Sequence, residues 1–336
     1  MSKKRFLSVI VIFSVICLFQ VGGAVAKTEF LTIVTGGTAG TFYAVGTMFA
    51  DTFNKTLKDS GYKWAAQSSG GSLENLEMIR SKETQLAFAG CAPTNFAYEG
   101  LQKFEGKAVK NIRYITAMWP EFVQIVVRKD SGINSWDDLK GKKVAVGPPA
   151  GGGTFYGPII LKALANLTFD DIKPEYLSYG DSAQALQNRL ISAFYGAGGI
   201  PTSAVTQAFA SRVEVEILDI SQERFANLKK TAPFFFRGTI PKETYPNQDK
   251  DINTAAMKCA FMARPEVSDE IVYKMLEAIY DKQLKTLQGQ HHSLTFLSVP
   301  QAIIGLAGAP LHAGAVKFYK EHGLTIPDNL IPPEMK

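Results

Sequence analysis

The stretch Leu31-Thr32-Ile33-Val34-Thr35-Gly36-Gly37-Thr38-Ala39-Gly40-Thr41-Phe42-Tyr43 runs from an apolar strand pattern, through a glycine-rich turn bearing hydroxyls, into a helical pattern over residues 43–58. The same device recurs as Gly-Pro-Pro-Ala-Gly-Gly-Gly-Thr-Phe-Tyr at 147–156 and as Ser-Ser-Gly-Gly-Ser-Leu-Glu-Asn at 68–75. At such a corner the first backbone N–H groups of the helix lack intrahelical partners and sit at the positive end of the helix dipole, so an anion fits there. Glycine lets the backbone approach a ligand with no Cβ in between, and Thr38, Thr41 and Thr154 add hydroxyls that donate or accept. Ser72 also reads as a helix N-cap. Any one of these corners could be plain capping chemistry; three in one chain point to a ligand. No Lys-Ser/Thr follows the glycines and G-x-G-x-x-G is absent from the first turn, which excludes phosphate-loop and dinucleotide readings.

The chain's 336 residues alternate strands and helices. Strand patterns fall at residues 30–34, 64–68, 85–89, 123–127, 143–146, 175–177, 193–195, 213–217 and 256–263. Helical patterns fall at 43–58, 72–81, 135–139, 156–165, 182–192 and 201–210, and a long amphipathic helix is opened by Pro265 and Ser268. This alternation predicts an α/β protein with mainly parallel sheets. The segment 231–255 reads as a proline-punctuated link. Because the tail brings no new set of strands, it is expected to return to the first half of the chain.

At the N-terminus Lys3, Lys4 and Arg5 precede an apolar run over residues 6–19, and Ala24-Val25-Ala26 offers small residues at a signal-peptidase spacing. Residues 1–26 therefore read as an export signal cleaved after Ala26; the run is short for a spanning helix, which needs about 20 residues. Cleavage removes three bases and no acid from a formal charge of +5, leaving +2. Near-neutrality and the lack of a basic cluster exclude a nucleic-acid partner. Cys91 and Cys259 are too few for a disulfide scaffold and match no zinc spacing; no metal or cofactor is expected.

Five stretches carry a family resemblance: TIVTGGTAGTFYAVGTMFADTFNK, SSGGSLENLEMI, SWDDLKGKKVAVGPPAGGGTFYGPIILKAL, TIPKETYPNQDKDINTAA and GAPLHAGAVKFYKEHGL. The chain resembles, from Glu29 to about Ile326, the TAXI family of extracytoplasmic solute receptors that serve TRAP-type transporters. The resemblance implies a type II periplasmic binding protein: two α/β lobes joined by two hinge strands, closing on a ligand cleft. Lobe I would comprise residues 27–122 and 257–336, and lobe II residues 123–256. The implied ligand is a small organic anion, glutamate or a related amino or dicarboxylic acid, and the implied partners are TRAP membrane subunits, with a monomeric receptor. At Gly90-Cys91-Ala92-Pro93-Thr94 the chain departs from the family's more usual Gln-Ser-Asp, which leaves the solute unnamed.

The cleft candidates are Gly37, Thr38, Tyr43, Ser69, Gly71, Ser72 and Gly90 from lobe I, facing Gly152, Gly153, Thr154, Gly198 and Pro201 from lobe II. No arginine lies within a glycine turn, so helix starts are expected to carry carboxylate recognition without Arg237, Arg128, Arg113 or Arg80. Cys91 and Cys259 are placed on neighbouring strands by this arrangement, as a disulfide or as two buried thiols. No G-x-S-x-G turn or glycosidase-type acid pair occurs, His312 reads as bonding backbone at a helix start, and an enzyme is not expected. Rival readings are a receptor signalling to a membrane sensor, a secreted enzyme using the same cleft, and a surface antigen.

Overall fold

The computed structural model describes residues 28–336; the expected export segment, residues 1–26, lies outside the described residues. Eleven strands are formed: β1 Glu29–Val34, β2 Tyr62–Gln67, β3 Leu86–Gly90, β4 Arg113–Phe122, β5 Ile125–Arg128, β6 Lys143–Ala145, β7 Lys173–Glu175, β8 Ala193–Tyr195, β9 Val215–Ile217, β10 Phe236–Ile240 and β11 Ile252–Ala263. Among the described residues ten α-helices accompany them: α1 Thr41–Thr56, α2 Ser72–Arg80, α3 Cys91–Glu99, α4 Gly152–Ala165, α5 Tyr179–Gln187, α6 Ser203–Phe209, α7 Gln222–Thr231, α8 Asp269–Leu276, α9 Leu284–Gln290 and α10 Ala313–Glu321. Among the described residues no helix is long and apolar enough to cross a membrane.

The strands make two sheets, one ordered β10-β11-β3-β1-β2 with β4 on the other edge of β11, the second ordered β7-β6-β8-β5-β9. Parallel pairs β1/β2, β1/β3, β6/β7 and β6/β8 carry the strand-corner-helix units. The rest is antiparallel, unlike the mainly parallel sheets expected. Strands β5 and β11 are reached from the other lobe, so they enter their sheets from the opposite end without a helical crossover. Strand β11 is the long member: residues 252–256 pair with β10, and its later residues pair with β3 on one side and β4 on the other.

Two links join the lobes. Strand β4 runs through Val123 and Gln124 into β5, while β11 lies antiparallel beside it, the Val123 N–H donating to Ala255 O at 2.8 Å and the Thr254 hydroxyl to Val123 O at 2.5 Å. Gln124 is fully buried and knits the link, its amide donating to Gly196 O at 3.0 Å and its carbonyl accepting from the Tyr245 hydroxyl at 2.5 Å. The first lobe's core is an aromatic stack in which Phe88 and Phe261 lie 4.9 Å apart and Phe42 lies 6.0 Å from Trp119. Such rings make each corner of that sheet a rigid support. The expected long C-terminal helix is broken: α8 passes through a π-turn at Glu277–Lys282 before α9.

Candidate functional site

The corners are built by local hydrogen bonds. After β1, the Gly40 N–H closes on Gly37 O at 2.9 Å, and α1 starts at Thr41. After β2, the Ser69 hydroxyl donates to Asn75 Oδ1 at 2.6 Å and accepts from the Gly71 N–H at 3.0 Å. Asn75, buried in α2, in turn donates to Thr35 O at 2.6 Å and Phe88 O at 2.7 Å, so one amide holds the ends of β1 and β3 and the serine turn together. Gly71, rather than Ser72, is the cap of α2, with φ 109°, a conformation open to glycine and strained for other residues. In the second lobe, Pro148-Pro149-Ala150-Gly151 leads into α4 at Gly152.

These corners meet. Ala150 O accepts both the Leu73 and Glu74 N–H groups at 3.1 Å, the Thr41 hydroxyl donates to Gly199 O at 2.9 Å, and the Ala204 N–H donates to Ala39 O at 3.2 Å. They enclose a cavity of about 240 Å³. The first lobe lines it with Gly36, Gly37, Gly40, Thr41 and Phe42 and with Ser69, Gly70, Gly71 and Ser72; the crossing strands contribute Glu121 and Met257. The second lobe contributes Pro148, Gly151, Gly152, Tyr156, Ser178, Tyr179, Tyr195, Ala197 and Gly198.

Of the twelve residues predicted, Gly37, Ser69, Gly71, Ser72, Gly152 and Gly198 are on this wall. The other six are not. Thr38 is exposed at the turn's tip. Tyr43 is one step round α1 from Phe42, which takes the inward direction and stacks on Phe88 at 5.6 Å. Gly90 lies behind Ser72, its N–H donating to the Ser72 hydroxyl at 3.1 Å. Gly153 backs onto the Val146 carbonyl, 2.1 Å from where a Cβ would stand. Thr154 is buried with its hydroxyl turned back to Pro149 O and Gly151 O, at 2.8 and 2.9 Å, so it fixes the corner instead of meeting a ligand. Pro201 lies past the point where the loop turns, the Thr202 hydroxyl closing on Gly199 O at 2.8 Å.

Of the two alternatives left open for Cys91 and Cys259, the structure has two free, buried thiols and no bridge between them. Cys259 pairs with Gly90 across the β11/β3 ladder, but its thiol donates to Trp119 O on the β4 side at 3.3 Å. Burial pushes both thiols above the usual range. His312 behaves as read, its Nδ1 accepting from the Gly314 N–H at 3.3 Å to cap α10. Among the described residues no group of three or more His, Cys, Asp or Glu could hold a metal.

No arginine or lysine is among the lining residues. Arg237 donates to Ser221 O at 3.2 Å and lies over Phe225; Arg80 pairs with Glu77, Arg128 with Asp130 and Arg113 with Glu334. The charged group on the wall is Glu121, partly buried, with neither ion pair nor hydrogen bond to its carboxylate among the described residues. Loss of water pushes its pKa up to about 8. The hydroxyls of Tyr156 and Tyr195 are likewise without partners. Burial, reinforced by Glu121, holds the phenols of Tyr156, Tyr179 and Tyr195 well above their usual range. This carboxylate and tyrosine wall was missed in the sequence because it comes from strand and helix residues, not from glycine turns.

Residues 33–323 match the sequence model of the NMT1-like family. Among solved structures, a protein from Bordetella bronchiseptica RB50 is similar with a TM-score of 0.51 at 14% identity, over 90% of this chain and 91% of that one. A protein described as a periplasmic transporter gives 0.50 at 12% identity, over 88% and 92% of the two chains. The alkanesulfonate-binding protein SsuA from Xanthomonas axonopodis pv. citri, bound to MOPS, gives 0.48 at 14% identity, over 88% and 91%. For the first two of these, at such identities, the likeness is one of fold: two α/β lobes joined by two hinge strands around a cleft, the type II periplasmic binding protein architecture.

Proposed function

We propose, from the premise that this chain belongs to the NMT1-like family, that it is an extracytoplasmic solute receptor, closing two lobes on a small organic solute and delivering it to a membrane transporter. The observation that carries this reading is the cavity of about 240 Å³ enclosed where strand-to-helix corners of both lobes converge. A solute touching both walls binds the closed form better than the open one and shifts the population toward closure. Residues 1–26 direct export and are removed after Ala26. Residues 27–122 and 257–336 then move as one body and 123–256 as the other.

The finer reading follows the motifs that resemble the TAXI family: the partner is a TRAP-type permease and the solute carries a carboxylate. The starts of α1 and α4 receive it, since Thr41, Phe42 and Gly152 lie on the wall and first-turn N–H groups have no intrahelical acceptor. The α2 start is less available, because Ala150 O already takes two of its N–H groups. The protein acts by binding, without turnover.

A thermal-shift screen of small metabolites tests this. Ligand at about 100 times its dissociation constant should add roughly 2.7 kcal/mol of stability. A protein that no small metabolite stabilises, or that converts the one that does, is not a receptor. Capture of the ligand-loaded protein by TRAP membrane subunits is the expected outcome for the partner; capture by a sensor protein instead would reassign it.

A further inference from the structure

We propose that the solute carries a primary ammonium group and that Glu121 is the residue that selects for it. This rests on the receptor reading and specifies the chemistry of the same cleft, against the dicarboxylate half of the sequence expectation.

Three features converge. The first is charge: Glu121 is the charged side chain on the wall, and it stands opposite Met257 in the β4/β11 ladder that crosses between the lobes. Its neighbour Lys258 offers no neutralisation, being committed to Met118 O at 3.1 Å. A second carboxylate brought beside this buried acid keeps it protonated and gains no charge pairing, whereas a cation favours its carboxylate form and pairs with it.

The second is unmet hydrogen bonding. Tyr156 and Tyr195 are only 2% and 3% exposed, line the cavity, and have hydroxyls with no partner among the described residues. Buried polar groups are nearly always paired, so the occupant is expected to supply what the protein does not. An ammonium has N–H donors for the Glu121 carboxylate and a phenol oxygen at once; a quaternary nitrogen has none and would leave them unpaired. The third is the aromatic wall of Phe42, Tyr156, Tyr179 and Tyr195, whose ring faces favour a cation. With a carboxylate at the starts of α1 and α4, the occupant has the charge layout of an amino acid.

Protonation follows from the surroundings. Facing Glu121 are Tyr156 from α4, Tyr179 from α5, Tyr195 from β8, Cys91 from α3 and Cys259 from β11, while Lys258 of β11 pairs with the neighbouring Pro120. Burial raises the acids of this set and lowers Lys258. The empty cleft therefore holds Glu121 largely as the neutral acid near neutral pH. An incoming ammonium favours the carboxylate, so binding releases a proton to solvent.

The test uses purified protein and matched probes: the common amino acids and γ-aminobutyrate, each beside its deaminated counterpart, such as L-glutamate with glutarate. Stabilisation by an amine, with its deaminated partner roughly 30-fold weaker or worse, is the expected result. Glu121→Gln, isosteric with the neutral acid, should fold and lose a similar factor for the amine. Calorimetry in buffers of different ionisation enthalpy should show proton release in the wild type and none in the variant, which a merely structural role would not produce. Deaminated acids binding as tightly as their amines, or an unchanged E121Q, overturns the inference while the receptor reading stands. Silence from both probe sets counts against the receptor reading itself, and the inference falls with it.

Discussion

Glu121 makes the site's chemistry pH-dependent in a direction that can be worked out. In the unfolded chain its carboxyl titrates near 4.5; in the folded protein burial holds the proton until about pH 8. Below the lower value both states are protonated and the contribution is flat. Between the two, the unfolded chain has lost a proton that the folded one keeps, so stability falls with rising pH, by up to about 1.4 kcal/mol per unit, and levels off above the upper value. Denaturation of wild type and E121Q across this window should show the variant gaining on the wild type as pH rises; a constant difference would count against the burial of this charge. Tyr156→Phe offers a complementary measurement. Its hydroxyl has no partner, so removing it from the empty protein should leave stability within about 0.5 kcal/mol, whereas affinity for an amine ligand should drop roughly tenfold if the phenol oxygen accepts from it. At this scale the sequence was legible where chemistry is local: Ser69 and Ser72 line the cavity because they sit in a glycine turn, although their hydroxyls bond Asn75, the Gly71 N–H and the Gly90 N–H. Glu121 was not legible, because a lone acid in an apolar strand acquires its meaning from a cavity that other elements close around it.

At the scale of elements, the corner of α4 shows why composition alone gives a motif but not its inward face. Gly152 and Gly153 are adjacent, yet a Cβ on Gly152 would meet the Tyr156 ring at an ordinary 3.7 Å, while one on Gly153 would fall 2.1 Å from the Val146 carbonyl. Gly153→Ala should therefore cost roughly 1–3 kcal/mol through forced backbone movement. Gly152→Ala should keep the fold and fill part of the cleft, weakening ligand without lowering the midpoint in denaturant; equal destabilisation by both would contradict the geometry. Most strands with clear apolar patterns were readable, and 193–195 matches β8 to the residue. Strand β4 was not read, although it is the element that carries Glu121. Its Pro120 demotes the run 113–122 as a strand, and the structure accommodates the proline next to a register shift, where Lys258 pairs with Pro120 and Ala260 with Ala117. Strand β10 was hidden similarly, since its half-buried residues 236–240 lack a clean alternation and are held mainly by the ladder to β11.

For the whole molecule, the decisive property is that the cavity is lined from both lobes, so the proposed closure would hold a solute for as long as the contacts across the mouth persist. Those contacts include hydrogen bonds, from Ala150 O to the start of α2, from Thr41 to Gly199, from Ala204 to Ala39 O and from Ser293 to Ile200 O, and one apolar patch where Phe96 of α3 meets Phe155 of α4 at 5.3 Å. Hydrogen bonds of this kind contribute about 0.5–1.5 kcal/mol each, and an aromatic pair a similar amount beyond its burial. The two-lobed plan could be anticipated from the recurring corners, but not which atoms touch, because that depends on the angle set by the β4/β11 crossing. The mouth offers a direct test. A Cβ built on Gly180 lies 3.5 Å from the Cβ of Ala39, within the spacing a disulfide spans. The native Cys91 and Cys259 are buried and should not compete. Ala39→Cys combined with Gly180→Cys, oxidised in the presence of ligand, should trap it so that dialysis no longer removes it; oxidised empty, the same protein should refuse ligand. Reductant should restore exchange in both cases. If the oxidised variant without ligand binds as fast as the wild type, solute reaches the cavity by a route other than lobe separation, and the proposed closure is not what holds it.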